Sequence, residues 1–237
     1  MHPVGLSSAI YLFFLIALVP VMSFKSARAF SAPPDVSGRR AIPPRTTMYL
    51  NSLVMLALMF ALAWFTARTF AYDLLAFPHF GAREAMAGAV ALGFQFAMQY
   101  VSHVIRTPEE RRTMPVLRMM PQTSRERAIY SVVSLAAGIA EEAAYRGVLT
   151  AILWYSLGSM SIAAGISALA FAAGHAMQGW KSAAIVFVMA CSMQALAAYT
   201  GTLVIAMAVH ATYDLFAPTL RRRILRELPT GPERIAG

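Results

Sequence analysis

Within a long apolar stretch the chain carries Glu141-Glu142-Ala143-Ala144-Tyr145-Arg146, two adjacent carboxylates and a guanidinium. Each ionisable residue in a membrane span costs about 2.5–3.5 kcal/mol on insertion scales, so such a group marks a site by default. Glu142 and Arg146 are four residues apart, stacked on one helical face and able to form an ion pair. Glu141 points about 100° away and is expected to be unpaired, which makes it the reactive carboxylate. Two further pairs have the same spacing: Phe171 with His175, and His210 with Asp214. Charged and imidazole groups on three apolar runs avoid lipid together only around a shared cavity. A desolvated carboxylate there is a competent general base, and a nearby imidazole can share the proton of a water molecule. Hydrolysis is the natural use of that pairing.

Other chemistries have less support. The chain has no GxSxG elbow, and its single cysteine, Cys191, has no base beside it in sequence. Imidazoles and carboxylates also ligate zinc, yet no HExxH is present. Spacing leaves metal against no metal open. No cofactor and no metal is predicted; were one bound, Glu141, His175, His210 and Asp214 would be its ligands, zinc the metal, and the activity that of a metalloendopeptidase.

The elements that must position these residues are helices. Hydrophobic residues make up 58% of the 237, charged residues only 13%. That composition excludes a soluble domain and predicts a single polytopic membrane domain over 1–237, in the lipid bilayer. Apolar runs at 4–24, 48–67, 86–105, 128–155, 160–177, 182–199 and 202–219 predict an all-α bundle of about seven spans. The net charge of +9 falls in clusters between these runs, so it reads as positive-inside topology, and no nucleic acid is expected. Lys25 to Arg45, Arg106 to Arg127, Lys181 and the tail 221–237 are then cytoplasmic, and the N-terminus lies outside. A cleaved signal peptide ending near Ala29 is the rival reading of the first run, but no Lys or Arg precedes it. His79 and His103 have no motif around them.

The ordered set EExxxR, FxxxH and HxxxD, each on its own apolar run, resembles the CPBP family, the CAAX protease and bacteriocin-processing group of intramembrane endopeptidases. The resemblance covers roughly 120–220; the first three spans are similar only in being apolar. It implies a glutamic-type protease in which Glu141 and His175 activate water, His210 with Asp214 stabilises the oxyanion, and Glu142, Arg146 and Phe171 support the site. The substrate it implies is a membrane-anchored or C-terminal peptide, and the location a cell membrane, that of a bacterium. One position departs from the pattern: the family's prenyl-protein endoproteases carry Asn where this chain has Asp214. An ionised Asp cannot donate to an oxyanion, so Asp214 is expected to orient His210, and a prenylated substrate is put in question.

Two other classes compete. A catalytically inactive scaffold or bacteriocin-immunity-type protein of the same fold would tolerate loss of Glu141, and a transporter should show an inverted repeat, which is not found. Counting 1.5 Å per residue from the nearest basic residue puts Glu141, His175 and His210 at depths that differ by on the order of 10 Å. Convergence therefore requires the fourth span to tilt, or its start at Ser124 to Ser131 to lie along the interface. The cavity is expected to open to the cytoplasm.

Overall fold

The structure, a computed structural model, describes residues 5–31, 43–69, 71–77 and 79–226. Helix and connecting turns make up the described residues, with no strand among them. Seven long rods are present among the described residues. Helix α1 spans 6–31, α-helical at Leu6–Phe13 and Val19–Ser31 with a π-helical stretch at Phe14–Leu18 between. It is followed by α2 (Arg45–Thr69) and α3 (Ala82–Val104). A short α4 (Pro108–Thr113) and a 3-10 turn (Pro115–Met119) lead to α5, residues 124–157, whose middle is π-helical at Glu142–Leu149. Then come α6 (Met160–Gly174), a 3-10 turn (Ala176–Gln178), α7 (Trp180–Thr200) and α8 (Leu203–Arg226).

Each apolar run corresponds to one rod. By length and composition, three helices among the described residues can cross a membrane: Leu6–Arg28, Arg45–Thr69 and Trp180–Thr200; Met160–Gly174 and Leu203–Thr219 are shorter apolar helices. The protein is thus an all-α membrane protein. Outward-facing Leu6, Val54, Phe65, Val90 and Leu169 are each more than half exposed, which suits hydrocarbon rather than water. The polar residues of α3 face inward instead. Gln95 Nε2 donates to Ser192 Oγ of α7 at 2.9 Å, and Gln99 Nε2 to the Ala217 carbonyl of α8 at 3.0 Å.

Helix α5 is the central rod, packed between α2 on one side and α8 on the other. The α8 crossing is close because Gly138 has no side chain: a Cβ there would lie 2.7 Å from the Ala211 nitrogen and 2.8 Å from the Met207 carbonyl oxygen. Capping fixes where α5 begins, as Thr123 Oγ1 accepts from the Glu126 amide and the Glu126 carboxylate accepts from the Thr123 amide.

The basic clusters gather at one end of the bundle. There Arg45 Nε donates to the Arg118 carbonyl at 2.9 Å, and Arg106 donates to Ser182 Oγ at 2.7 Å and to Ser102. Lys181 Nζ reaches the Glu110 carboxylate at 2.7 Å. At the opposite end Thr202 Oγ1 donates to the Ala76 carbonyl at 2.6 Å, and Arg83 lies over the Tyr199 ring. Two expectations shift at the chain ends: helix continues past the first basic residues to Ser31, and α8 runs on to Arg226, so part of the supposed tail is helical. Pro33, Pro34 and residues 227–237 lie outside the described residues.

Candidate active site

The π-helical turn of α5, the end of α6 and the middle of α8 meet inside the bundle, around a cavity whose lining reaches Val116, Met119 and Met120 of the connection at the basic end. Glu141 closes the α-helical part of α5 and Glu142 opens the π turn. Glu142 is fully buried, and its Oε1 accepts from His210 Nδ1 at 2.7 Å while lying 3.3 Å from Arg146 Nη1. The expected ion pair is therefore present, but the hydrogen bond of Glu142 goes to the histidine. Arg146 is held on its other side by an aromatic face, with Cζ 4.2 Å from the Phe171 ring centroid.

Glu141 is not unpaired. Its Oε2 lies 3.7 Å from His210 Nε2, and Asp214 Oδ2 lies 3.6 Å from the same nitrogen. Adjacent carboxylates at helical spacing diverge, yet both reach one imidazole because its two nitrogens are on opposite edges of the ring. The carboxylate that hydrogen-bonds His210 is Glu142, while Asp214 lies beside the other ring nitrogen.

His175 is displaced from its expected place inside a span. Helix α6 ends at Gly174, and His175 is its cap, at φ −97° and ψ 7°. A 3-10 turn and Gly179, at φ 89°, then turn the chain into α7. His175 Nδ1 lies 2.9 Å from the Phe171 carbonyl. A carbonyl only accepts, so Nδ1 carries the hydrogen and a neutral ring presents Nε2 as a lone pair. Phe171 is the hub of the site, with ring centroids 4.5 Å from His175, 6.2 Å from His210 and 5.0 Å from Tyr145.

Glu141, His175, His210 and Asp214 all line one cavity of about 420 Å³, together with Tyr145, Arg146 and Phe171. Its remaining wall is largely apolar and unusually rich in methionine: Met59, Met119, Met120, Met177, Met189 and Met193. Spacing could not have found these, because they come from α2, α7 and the connections at 114–120 and 176–178. Among the described residues no group of three or more His, Cys, Asp or Glu side chains is arranged to hold a metal ion. Both histidines have Nδ1 engaged by an oxygen, His175 by the Phe171 carbonyl and His210 by Glu142, which leaves Nε2 of each ring for other partners.

The stretch from the start of α5 into α8 carries every one of these motif residues. It matches a family model, over residues 124–216. The family is type II CAAX prenyl endopeptidase, Rce1-like. The similarity to the Rce1-like endopeptidases covers less than half of the chain, and it is the half that builds the cavity's acidic and imidazole wall. The matched stretch is thus similar to CAAX proteases. No curated protein and no solved structure matches the chain.

Proposed function

We propose that the protein is an intramembrane endopeptidase of the glutamic type, hydrolysing a peptide bond in a membrane-anchored or C-terminal peptide at a bacterial plasma membrane. One observation carries the reading: Glu141 of α5, His210 of α8 and His175 at the cap of α6 line one cavity, and each imidazole has its Nδ1 occupied by a fixed acceptor.

In the reaction the Glu141 carboxylate takes a proton from water, and the hydroxide attacks the peptide carbonyl carbon. His175 Nε2 shares that proton and relays it to the departing amine. As the carbonyl oxygen becomes an oxyanion it accepts from His210 Nε2–H, with Nδ1–H still held by Glu142. His210 is then an imidazolium, and the carboxylates of Glu142, Glu141 and Asp214 balance its charge. Asp214 supports this charge without bonding the ring directly, which suits an Asp where a donor Asn stands in the family pattern. The methionine-lined wall holds apolar side chains of the substrate, because unbranched, polarisable methionines adapt to irregular shapes.

The test is co-expression with candidate membrane-anchored peptides, comparing the native protein with Glu141→Gln by mass spectrometry of the products. Cleavage by the native protein alone, at equal folded yield, is expected; cleavage by both would sink the assignment. Metal content is measured on the same active sample. Stoichiometric zinc, with activity reversibly lost on chelation, would replace the glutamate mechanism with a metal one.

A further inference from the structure

The π-helical turn that Glu142 opens, directly after Glu141, is tied to other helices by side-chain hydrogen bonds. A helical carbonyl has two lone pairs, so one that already accepts a backbone amide, as Tyr145 O accepts from the Thr150 amide, can take a second donor. In the wider turn here two consecutive carbonyls accept from side chains. Ala144 O accepts from the Tyr11 hydroxyl at 2.9 Å. Tyr145 O accepts from Thr150 Oγ1 at 2.8 Å and from Ser167 Oγ at 2.7 Å. Gln194 Nε2 donates in turn to Thr150 Oγ1 at 2.8 Å. Helices α1, α6 and α7 are thereby tied to one turn of α5, and Tyr11, Ser167 and Thr150 are all buried.

We propose that Tyr11 and Ser167 are positioning residues, which keep this turn π-helical and thereby set Glu141 and Glu142 on the two edges of His210. The physical reason is selective. Their hydroxyls come from α1 and α6, and an α-helical turn would swing the same two carbonyls away from both donors. The two donors therefore favour the π form over the α form. Relaxing to the α form would rotate the acidic pair against Arg146 by about one residue's worth of helix, near 100°. Tyr11 lies far outside the stretch that matches the family model, so the first helix serves the site as well as spanning the bilayer.

The kinetic part of this inference rests on the proposed peptidase reading, and a second readout does not. Tyr11→Phe keeps the ring and deletes only the hydroxyl; Ser167→Ala does the same for the second donor. Each is expected to lower kcat about tenfold, and the pair more, with KM within about twofold and an unfolding temperature close to native. Hydrogen exchange of the amides at 143–150, followed by mass spectrometry on the full chain in detergent, is expected to rise in both variants. Unchanged exchange overturns the proposal, as does a loss of activity that only tracks the loss of folded protein. If the native protein cleaves no peptide, the peptidase reading fails while the exchange experiment still decides whether these hydroxyls hold the turn.

Discussion

At the scale of single residues, Glu142 has the most demanding position, because it is fully buried and shared between a guanidinium and an imidazole. Removing one partner of such a pair strands a charge away from water, at a cost of roughly 3–5 kcal/mol. Arg146→Ala is therefore expected to lower both the unfolding temperature and the folded yield, and a native-like melting curve would contradict it. Asp214→Asn should behave differently. Asp214 makes no hydrogen bond to His210, so the variant is expected to keep its fold and appreciable peptidase activity, as rates on a cleaved peptide would show. The spacing of Glu142 and Arg146 was enough to read their pairing from the sequence, since both are on one helix. The Glu142–His210 bond was not legible, because it depends on how α5 crosses α8, and periodicity along either helix says nothing about that.

At the scale of elements, that crossing rests on Gly138. Gly to Ala inside a helix ordinarily stabilises it by about 1 kcal/mol. Here the added methyl meets the backbone of α8, which cannot swing aside like a side chain. Gly138→Ala is expected to destabilise the protein by about 1–3 kcal/mol, read as a lowered unfolding temperature, and to reduce activity by separating Glu142 from His210. A variant as stable and active as the native protein would show that the helices do not need this approach. The end of α6 explains why depths counted along the sequence disagreed. His175 is not inside a straight helix, so counting helical rise from Lys181 misplaces it.

The connection over the site has a pH-sensitive tie of its own. The Glu110 carboxyl is held below its usual range, first by its hydrogen bond from Lys181, then by the Thr107 amide and the nearby positive charges. A depressed carboxyl stabilises the fold above its unfolded pKa, near 4.3, and that contribution disappears as pH falls through the lower folded value. Protection from hydrogen exchange in α4, measured against the intrinsic rate at each pH, is therefore expected to fall only as pH drops below about 4. In Lys181→Ala exchange should already be faster at neutral pH. Equal exchange in the two proteins at neutral pH would show that the tie contributes nothing.

At the scale of the whole molecule, apolar runs and basic clusters carried most of the fold. All seven runs became helices, and the basic connections share one end. What remained hidden were the π turns, since nothing in Phe14–Leu18 or Glu142–Leu149 departs from ordinary helical patterning. The shared end is expected to face the cytoplasm, with the connection at 71–81 outside. Reporter fusions at 115 and 77 test this, and an external signal at 115 would invert the orientation of the site.

The position of His210 limits the shape of whatever is cut there. In an α-helix each carbonyl is already engaged by the amide four residues on. A peptide that spans the bilayer as a helix is therefore expected to unwind at the scissile bond before His210 can take the carbonyl oxygen, and its own helix propensity becomes part of the barrier. Glycine or proline beside that bond should speed cleavage, and a run of alanine and leucine should slow it, without any change in the enzyme.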